Sequence, residues 1–251
     1  MTETYYNGLA PYYKYIYPDW DKSIRRQAIA LDGVIKEYVG EPASAVLDVA
    51  CGIGTQSIGL AEMGYKVTAS DLSSTEVERA QQEAFSHGVQ IEFQVVDMRQ
   101  VWDTYQRQFD VVIACDNSVP HLLNDDEILG AFRQFYQCTR PGGACIITVR
   151  DYAQLERKDR HKQMYPRLVH QTERGQIVMF DVWDFDGDTY EITTYLVEDL
   201  GEPAARAQVF RGGKYYCVTI STLEELFGEA GFREVTTLRE RFFQPLLIAM
   251  K

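Results

Sequence analysis

No two of the five cysteines (Cys51, Cys115, Cys138, Cys145 and Cys217) form a CxxC pair, and their number is odd. That pattern predicts buried thiols in a reducing, cytoplasmic compartment. Four scattered histidines without HxxxH spacing offer no metal site. No apolar stretch approaches the ~20 residues that cross a bilayer, and "MTETYYNGLAPYY" lacks the basic and apolar regions of a signal peptide. Positive charge is scarce as well. Lys and Arg number 25 against 37 Asp and Glu, and the net charge of −12 repels phosphate backbones at long range, which argues against a nucleic-acid partner. The most basic run, "RKDRHK" at Arg157 to Lys162, contains an aspartate and reads as a solvated face. What remains is a chain of 251 residues, long enough to bury its own core, whose expected partner is a small molecule.

What is present is an alternation. Short, nearly continuous apolar runs stand at Ala45–Val49, Lys66–Ser70, Ile91–Val96, Phe109–Cys115 and Ala144–Val149, as parallel strands covered on both faces require. Between them helical segments are expected at about Thr55–Met63, Thr75–His87 and Asp125–Thr139. "SSTE" (Ser73 to Glu76) and Asn124 with Glu127 have the form of capping boxes. "RPGG" at Arg140–Gly143 turns a helix end into the next strand. The pattern predicts an α/β fold, a doubly wound, mostly parallel sheet over residues 41–150. Residues 151–220 change texture. Two β-rich runs flank "DGD" as a tight hairpin, and further strand-like runs surround Gly212 and Gly213, so an antiparallel insertion or lid is expected. Helix resumes at Ser221, with Ser221 and Glu224 as a third capping box, and "QPLLIAM" returns residues 221–251 to the sheet. Residues 1–40 form a separate helical cap, which opens with six tyrosines in "YYNGLAPYYKYIYPDW". Tyrosine clusters serve packing as often as binding.

The first strand ends at Asp48, and "CGIG" places Gly52 and Gly54 before the first helix. Glycines there let the backbone turn sharply and come close to a ligand at a helix start that presents free N–H groups. The crevice lies beyond the carboxyl ends of the strands. Asp71 ends the second strand, where a carboxylate can accept both hydroxyls of a ribose. A dinucleotide fingerprint needs a third glycine where Ser57 stands. Asp48 beside a pyrophosphate is unfavourable, but it suits a ligand with an amino group and a sulfonium.

These residues resemble the class I S-adenosylmethionine-dependent methyltransferases, a Rossmann-like family with a seven-stranded sheet. The resemblance rests on the "LDVACGIG" loop, the acidic ends of the second and third strands, and "RPGG" before the fifth. It implies S-adenosylmethionine as cofactor and S-adenosylhomocysteine as product. Ala50, Gly52 and Gly54, backed by Asp48, would line the methionine portion, Asp71 and Leu72 the ribose, and Asp97 and Met98 the adenine, with Cys115 nearby. Within that superfamily the chain is most similar to the glycine and sarcosine N-methyltransferases. The resemblance is carried by "YNGLA" with "YPDWDKSIRRQ", by "DNSVPHL" (Asp116 to Leu122), by "VRDY", and by "GKYYCVTISTLEEL". It implies that Asn117 and Arg150 hold an amino acid's carboxylate and that Ser118 and His121 contact the cofactor. Tyr6, Tyr17 and one of Arg25 or Arg26 would close the methionine end. Tyr195 and one of Tyr215 or Tyr216 would reach the acceptor from the lid. Asp116 departs from the glycine usual in that family, which leaves the acceptor open.

Arg150 at a strand's carboxyl end suits a carboxylate in its own right, because its planar fork binds two oxygens at once. Methyl transfer from a sulfonium asks mainly for alignment and exclusion of water, so no Ser/His/Asp constellation is expected. An amine acceptor predicts a rate that rises toward alkaline pH. Two other readings stand beside this one: O- or C-methylation of another small metabolite, and a nucleoside-binding module without catalysis. The number of subunits is not readable.

Overall fold

In a computed structural model the described residues are 2–41, 43–155, 162–173 and 175–251. Of the basic run from Arg157 to Lys162, only Lys162 lies within them. The chain starts with helix α1 (Thr2–Leu9), a 3-10 segment (Ala10–Ile16) and the long helix α2 (Trp20–Tyr38), whose first turn is capped by the Asp19 side chain accepting from the Lys22 N–H. Strands and helices then alternate: β1 (Ala45–Asp48), α3 (Thr55–Glu62), β2 (Lys66–Asp71), α4 (Ser74–Ser86), β3 (Glu92–Val95), α5 (Val101–Tyr105), β4 (Phe109–Ala114), α6 (Asp125–Cys138) and β5 (Thr139–Thr148). Strands β6 (Lys162–Thr172), β7 (Gly175–Asp186), β8 (Thr189–Asp199) and β9 (Arg206–Tyr216) follow, and α7 (Ile220–Ala230), β10 (Arg233–Leu238) and β11 (Leu246–Met250) close the chain.

Seven strands form one sheet in the order β10-β11-β5-β4-β1-β2-β3. Only β11 runs against its neighbours. The apolar runs explain the burial: Val46, Leu47, Val111, Val112, Ile113, Ala144, Cys145, Ile146 and Ile147 are fully covered, with α2 and α3 on one face and α6 and α7 on the other. The stacked rings of Phe132 and Phe227, 4.0 Å apart, join α6 to α7. Because β1 sits between β4 and β2, the winding reverses at β1 and leaves a crevice at its carboxyl end. Among the described residues no helix is long and apolar enough to cross a membrane.

The other four strands form a separate antiparallel sheet, β6-β7-β8-β9, turned at Gly187 in "DGD". Strands β7 and β8 alternate strictly. Met179, Trp183, Phe185, Tyr190, Ile192 and Leu196 face inward and are buried, while their neighbours are partly wet. Helix α1 packs on β9, where Gly213 gives room to the Tyr5 ring: a Cβ there would lie 3.1 Å from it. The Tyr5 hydroxyl donates to Thr194 Oγ1 (2.7 Å), which donates to the buried Asp181 carboxylate (2.7 Å). The N-terminal segment is thereby fastened to the second sheet and roofs the crevice of the first.

Ser73 and Asn124 cap α4 and α6 as their sequences predict, each accepting from the N–H three residues on. The cap of α7 differs. Thr219 holds that position, accepting from Thr222 N–H (3.2 Å), and Glu224 accepts from Thr237 instead. The helix gains a turn-starting hydroxyl two residues earlier, and the acid joins helix to strand.

Candidate active site

The loop after β1 is built on the two glycines. Gly52 (φ +51°) and Gly54 (φ +95°) both lie in the left-handed region, and a Cβ on Gly54 would come within 3.0 Å of Ile58. Asp48 sits beneath the loop, buried. It accepts from Ser57 Oγ (2.7 Å) and from the Ala50 N–H (3.3 Å), tying strand, loop and helix together. Burial pushes its carboxyl up to about 7, against the lowering of those two hydrogen bonds. Asp71 closes the loop from the β2 side: its two oxygens accept from Gly52 N–H and Ser73 N–H, both at 2.9 Å.

Above this loop lies a cavity of about 330 Å3. Ala50, Gly52, Asp71 and Leu72 line one side, Asp97, Met98 and Arg99 another, and Cys115, Asp116, Ser118 and His121 a third. Tyr6, Tyr13 and Tyr17 form the roof. Asp97 lines the wall with its carboxylate held by Arg99, whose Nη2 lies 2.6 Å away. Gly54 and Asp48 stand behind the lining and shape it without reaching it.

His121 carries a readable proton arrangement. Its Nδ1 lies 2.9 Å from the Lys214 carbonyl, which can only accept, so Nδ1 bears the hydrogen and Nε2 accepts from Tyr6 Oη (2.7 Å). Tyr6 has then spent its proton, and Tyr215 Oη donates to it (2.8 Å). Burial lowers the imidazole to about 4, so it stays neutral at physiological pH. This chain seats the roof tyrosine on the wall and on β9.

A second, more open cleft of about 590 Å3 adjoins the first. Tyr17 and Asp116 line both cavities, and the Tyr17 hydroxyl donates to Asp116 Oδ2 (2.9 Å), forming the neck between them. Asp116 and Asn117 have φ of +56° and +65°, unusual for non-glycine residues and costing of order 1–3 kcal/mol each. The bend turns Asp116 to the neck and Asn117 inward. Arg150, Arg26 and the apolar edges of Leu155 and Phe243 line the far side of the cleft. The guanidinium of Arg150 donates to Tyr190 Oη (3.1 Å) and lies 4.8 Å from the Trp183 ring centroid.

The remaining candidates are placed as follows. Asn117 is buried and fully engaged: Nδ2 donates to Tyr152 Oη (2.8 Å) and Oδ1 accepts from the Arg150 N–H (2.9 Å), so it positions Arg150 through the backbone and turns no group to either cavity. Arg25 is exposed and lines neither cavity, whereas Arg26 lines the second. Tyr215 stands behind Tyr6, stacked on Tyr190 at 5.0 Å. Tyr216 points to the opposite face, toward Asp125. Tyr195 lies on the outer face of β8, stacked on Phe180 at 4.9 Å, because strand alternation turns it away from buried Thr194 and Leu196. Tyr190 and Tyr152 occupy the inner position that was expected of Tyr195.

Glu76 escaped the sequence reading because it fitted a capping box so well. The reciprocal bond of that box is absent: Ser73 N–H goes to Asp71, and the Glu76 carboxyl is buried under Gly52 with Oε1 unpartnered. Ser118 Oγ is likewise buried and unpartnered in the cavity wall. A ligand bearing several hydrogen-bond donors and positive charge fits this wall, as S-adenosylmethionine does.

Residues 46–143 match the profile of a methyltransferase domain. The chain is 36% identical over 104 residues to the putative methyltransferase YqeM of Bacillus subtilis, covering 41% of each protein. It is 28% identical over 151 residues to a glycine/sarcosine N-methyltransferase of Halorhodospira halochloris, covering 60% of this chain and 55% of that one. The chain thus spans about half the length of these relatives. In fold it resembles the CcbJ methyltransferase of Streptomyces caelestis, with TM-score 0.79 and 16% identity over 98% of this chain and 97% of that one. Glycine loop, acidic strand end, sheet order and sequence match converge: residues 46–143 match a methyltransferase domain, they lie on the seven-stranded sheet such folds share, and the lining of the cavity fits S-adenosylmethionine.

Proposed function

We propose that the protein is an N-methyltransferase of a small, carboxylate-bearing amine, with glycine, sarcosine and related small amino acids as the first candidates. One observation carries the acceptor reading. Arg150 stands in the wall of the second cleft, across from the neck, and among the described residues it forms no ion pair. Asp116 reaches it only through space, and a largely desolvated guanidinium with no carboxylate in direct contact is unfavourable unless a ligand supplies one.

Bound S-adenosylmethionine supplies a methyl group on a sulfonium, with a thioether as leaving group. The chain's own residues do the rest. Arg150 holds the acceptor's carboxylate, and Tyr190 and Trp183 fix its plane. Asp116 faces both cavities and, among the described residues, forms no ion pair, so it receives the acceptor's ammonium at the neck. The ammonium sheds one proton to water in the open cleft, which leaves a lone pair to attack. Tyr6, Tyr13 and Tyr17 keep water from the first cavity. Fixing the two reactants across the neck can contribute ~7–11 kcal/mol. The burial of all five cysteines as thiols supports a reducing, cytoplasmic setting.

The test is a screen with S-adenosylmethionine labelled in its methyl group, against amino acids, plain amines and hydroxyl compounds. Label in an N-methyl amino acid supports the reading. Label only in a hydroxyl compound replaces it with O-methylation, and cofactor binding without transfer to any acceptor leaves a binding module.

A further inference from the structure

The wall of the first cavity is strongly acidic, and one of its carboxyls has no part in the scheme above. Glu76 occupies the first turn of α4, 2% exposed, on the face that also buries Val77, Ala80 and Ala84. Its Oε1 has no hydrogen-bond partner, and the residue lines the cavity. A Cβ added to Gly52 would meet only Glu76, at 3.8 and 3.9 Å from its two oxygens. The missing side chain of Gly52 is therefore what opens a path from the carboxyl to the ligand space.

We infer that Glu76 is a cofactor-binding carboxylate, whose Oε1 accepts from a donor of S-adenosylmethionine, either a ribose hydroxyl or the ammonium of its methionine end. This rests on the cofactor assigned above. The groups that face Glu76 are the Asp71 carboxylate at the end of β2, the Cys51 thiol in the loop and the Tyr13 phenol in the roof, with Asp48 behind the loop. Among the described residues no Lys or Arg forms an ion pair with it. Burial first, and the Asp71 charge second, hold the Glu76 carboxyl well above the usual range. An entering donor favours the ionised carboxylate and so works against that upward shift, which makes cofactor binding proton-linked.

The experiment is titration calorimetry on the full chain and on Glu76→Gln, with S-adenosylmethionine, S-adenosylhomocysteine and 5′-methylthioadenosine, each in phosphate and in Tris at pH 7.5. In Glu76→Gln, binding of the first two weakens about tenfold to a hundredfold, as expected for loss of a charge-assisted hydrogen bond. The wild-type heat differs between buffers, and the variant's difference shrinks. A penalty that persists with 5′-methylthioadenosine, which lacks the ammonium, assigns the ribose, and one that vanishes assigns the ammonium. Binding of all three ligands within twofold of wild type, with the buffer dependence unchanged, overturns the inference. Wild-type protein that binds no S-adenosylmethionine overturns the cofactor assignment instead. If Glu76→Gln does not fold, Glu76→Asp replaces it: the carboxylate is kept but drawn back, and wild-type affinity in that variant also overturns the inference.

Discussion

Replacement of Arg150 by Ala or by Lys separates the acceptor site from the cofactor site. In the free protein the side chain contributes one hydrogen bond to Tyr190 and a stacking contact with Trp183, so truncation removes about 1–2 kcal/mol of stability. The acceptor loses more. A carboxylate held by two charge-assisted bonds to a largely buried guanidinium contributes roughly 2–4 kcal/mol, or about 30-fold to 900-fold in kcat/KM for Arg150→Ala. Lysine keeps the charge but not the planar fork, and falls between. Initial rates of labelled methyl transfer to sarcosine are to be compared with cofactor Kd from calorimetry, which stays within about twofold because Arg150 does not line the first cavity. The reasoning is refuted if Arg150→Ala methylates sarcosine as the wild type does, or if it loses cofactor and acceptor together.

Further expectations follow from the loop and its carboxyls. Asp48 is raised from 3.8 to about 7, so the folded chain holds a proton that the unfolded chain releases; its contribution is full below pH 3.8 and is lost as pH rises to 7, by roughly 4 kcal/mol. Urea melts should show Asp48→Asn gaining on the wild type by about that amount between pH 4 and 8, and a constant difference would contradict the assignment. His121, lowered from 6.5 to about 4, has the opposite sign: its stability is lost as pH falls from 6.5 to 4, and its ring resonances should stay flat from pH 5.5 to 8. The glycines divide by role. Gly59→Ala places a Cβ 2.7 Å from Ala28 Cβ and 2.8 Å from the Ile24 carbonyl, which costs about 1–3 kcal/mol of stability with little loss of cofactor affinity. Gly52→Ala meets no atom nearer than 3.8 Å but puts a side chain at φ +51°, so it costs about 1–2 kcal/mol of stability and, by filling the path to Glu76, lowers cofactor affinity at least tenfold as well.

Much of the core was legible because its signals are local. Continuous apolar runs fit only strands covered on both faces. Two glycines before the first helix and an acid at the next strand end point to a nucleoside crevice before any contact is known. Ser73 and Asn124 cap their helices from positions read in the sequence. The second sheet was harder. Period-two alternation gives two faces but not which of them meets α1, so Tyr195 and Tyr190 could not be told apart until the register was fixed. Tyr215 and Tyr216 are separated by the same parity. Asn117 reads as a polar residue at the crevice, yet a left-handed backbone turns it onto Tyr152.

The sequence by itself determined the alternating sheet, the glycine turn and the chemistry of the ligand they hold, since each depends on residues within a few positions of one another. Only the tertiary structure decided which side chains share a cavity. Tyr6 meets His121 across 115 positions, Tyr17 meets Asp116 across 99, and Asp71 takes the Ser73 N–H that Glu76 would have received a partner from. Those pairings arise from packing α1 and the second sheet against the first, and a long-range juxtaposition of that kind leaves no periodic trace in the chain.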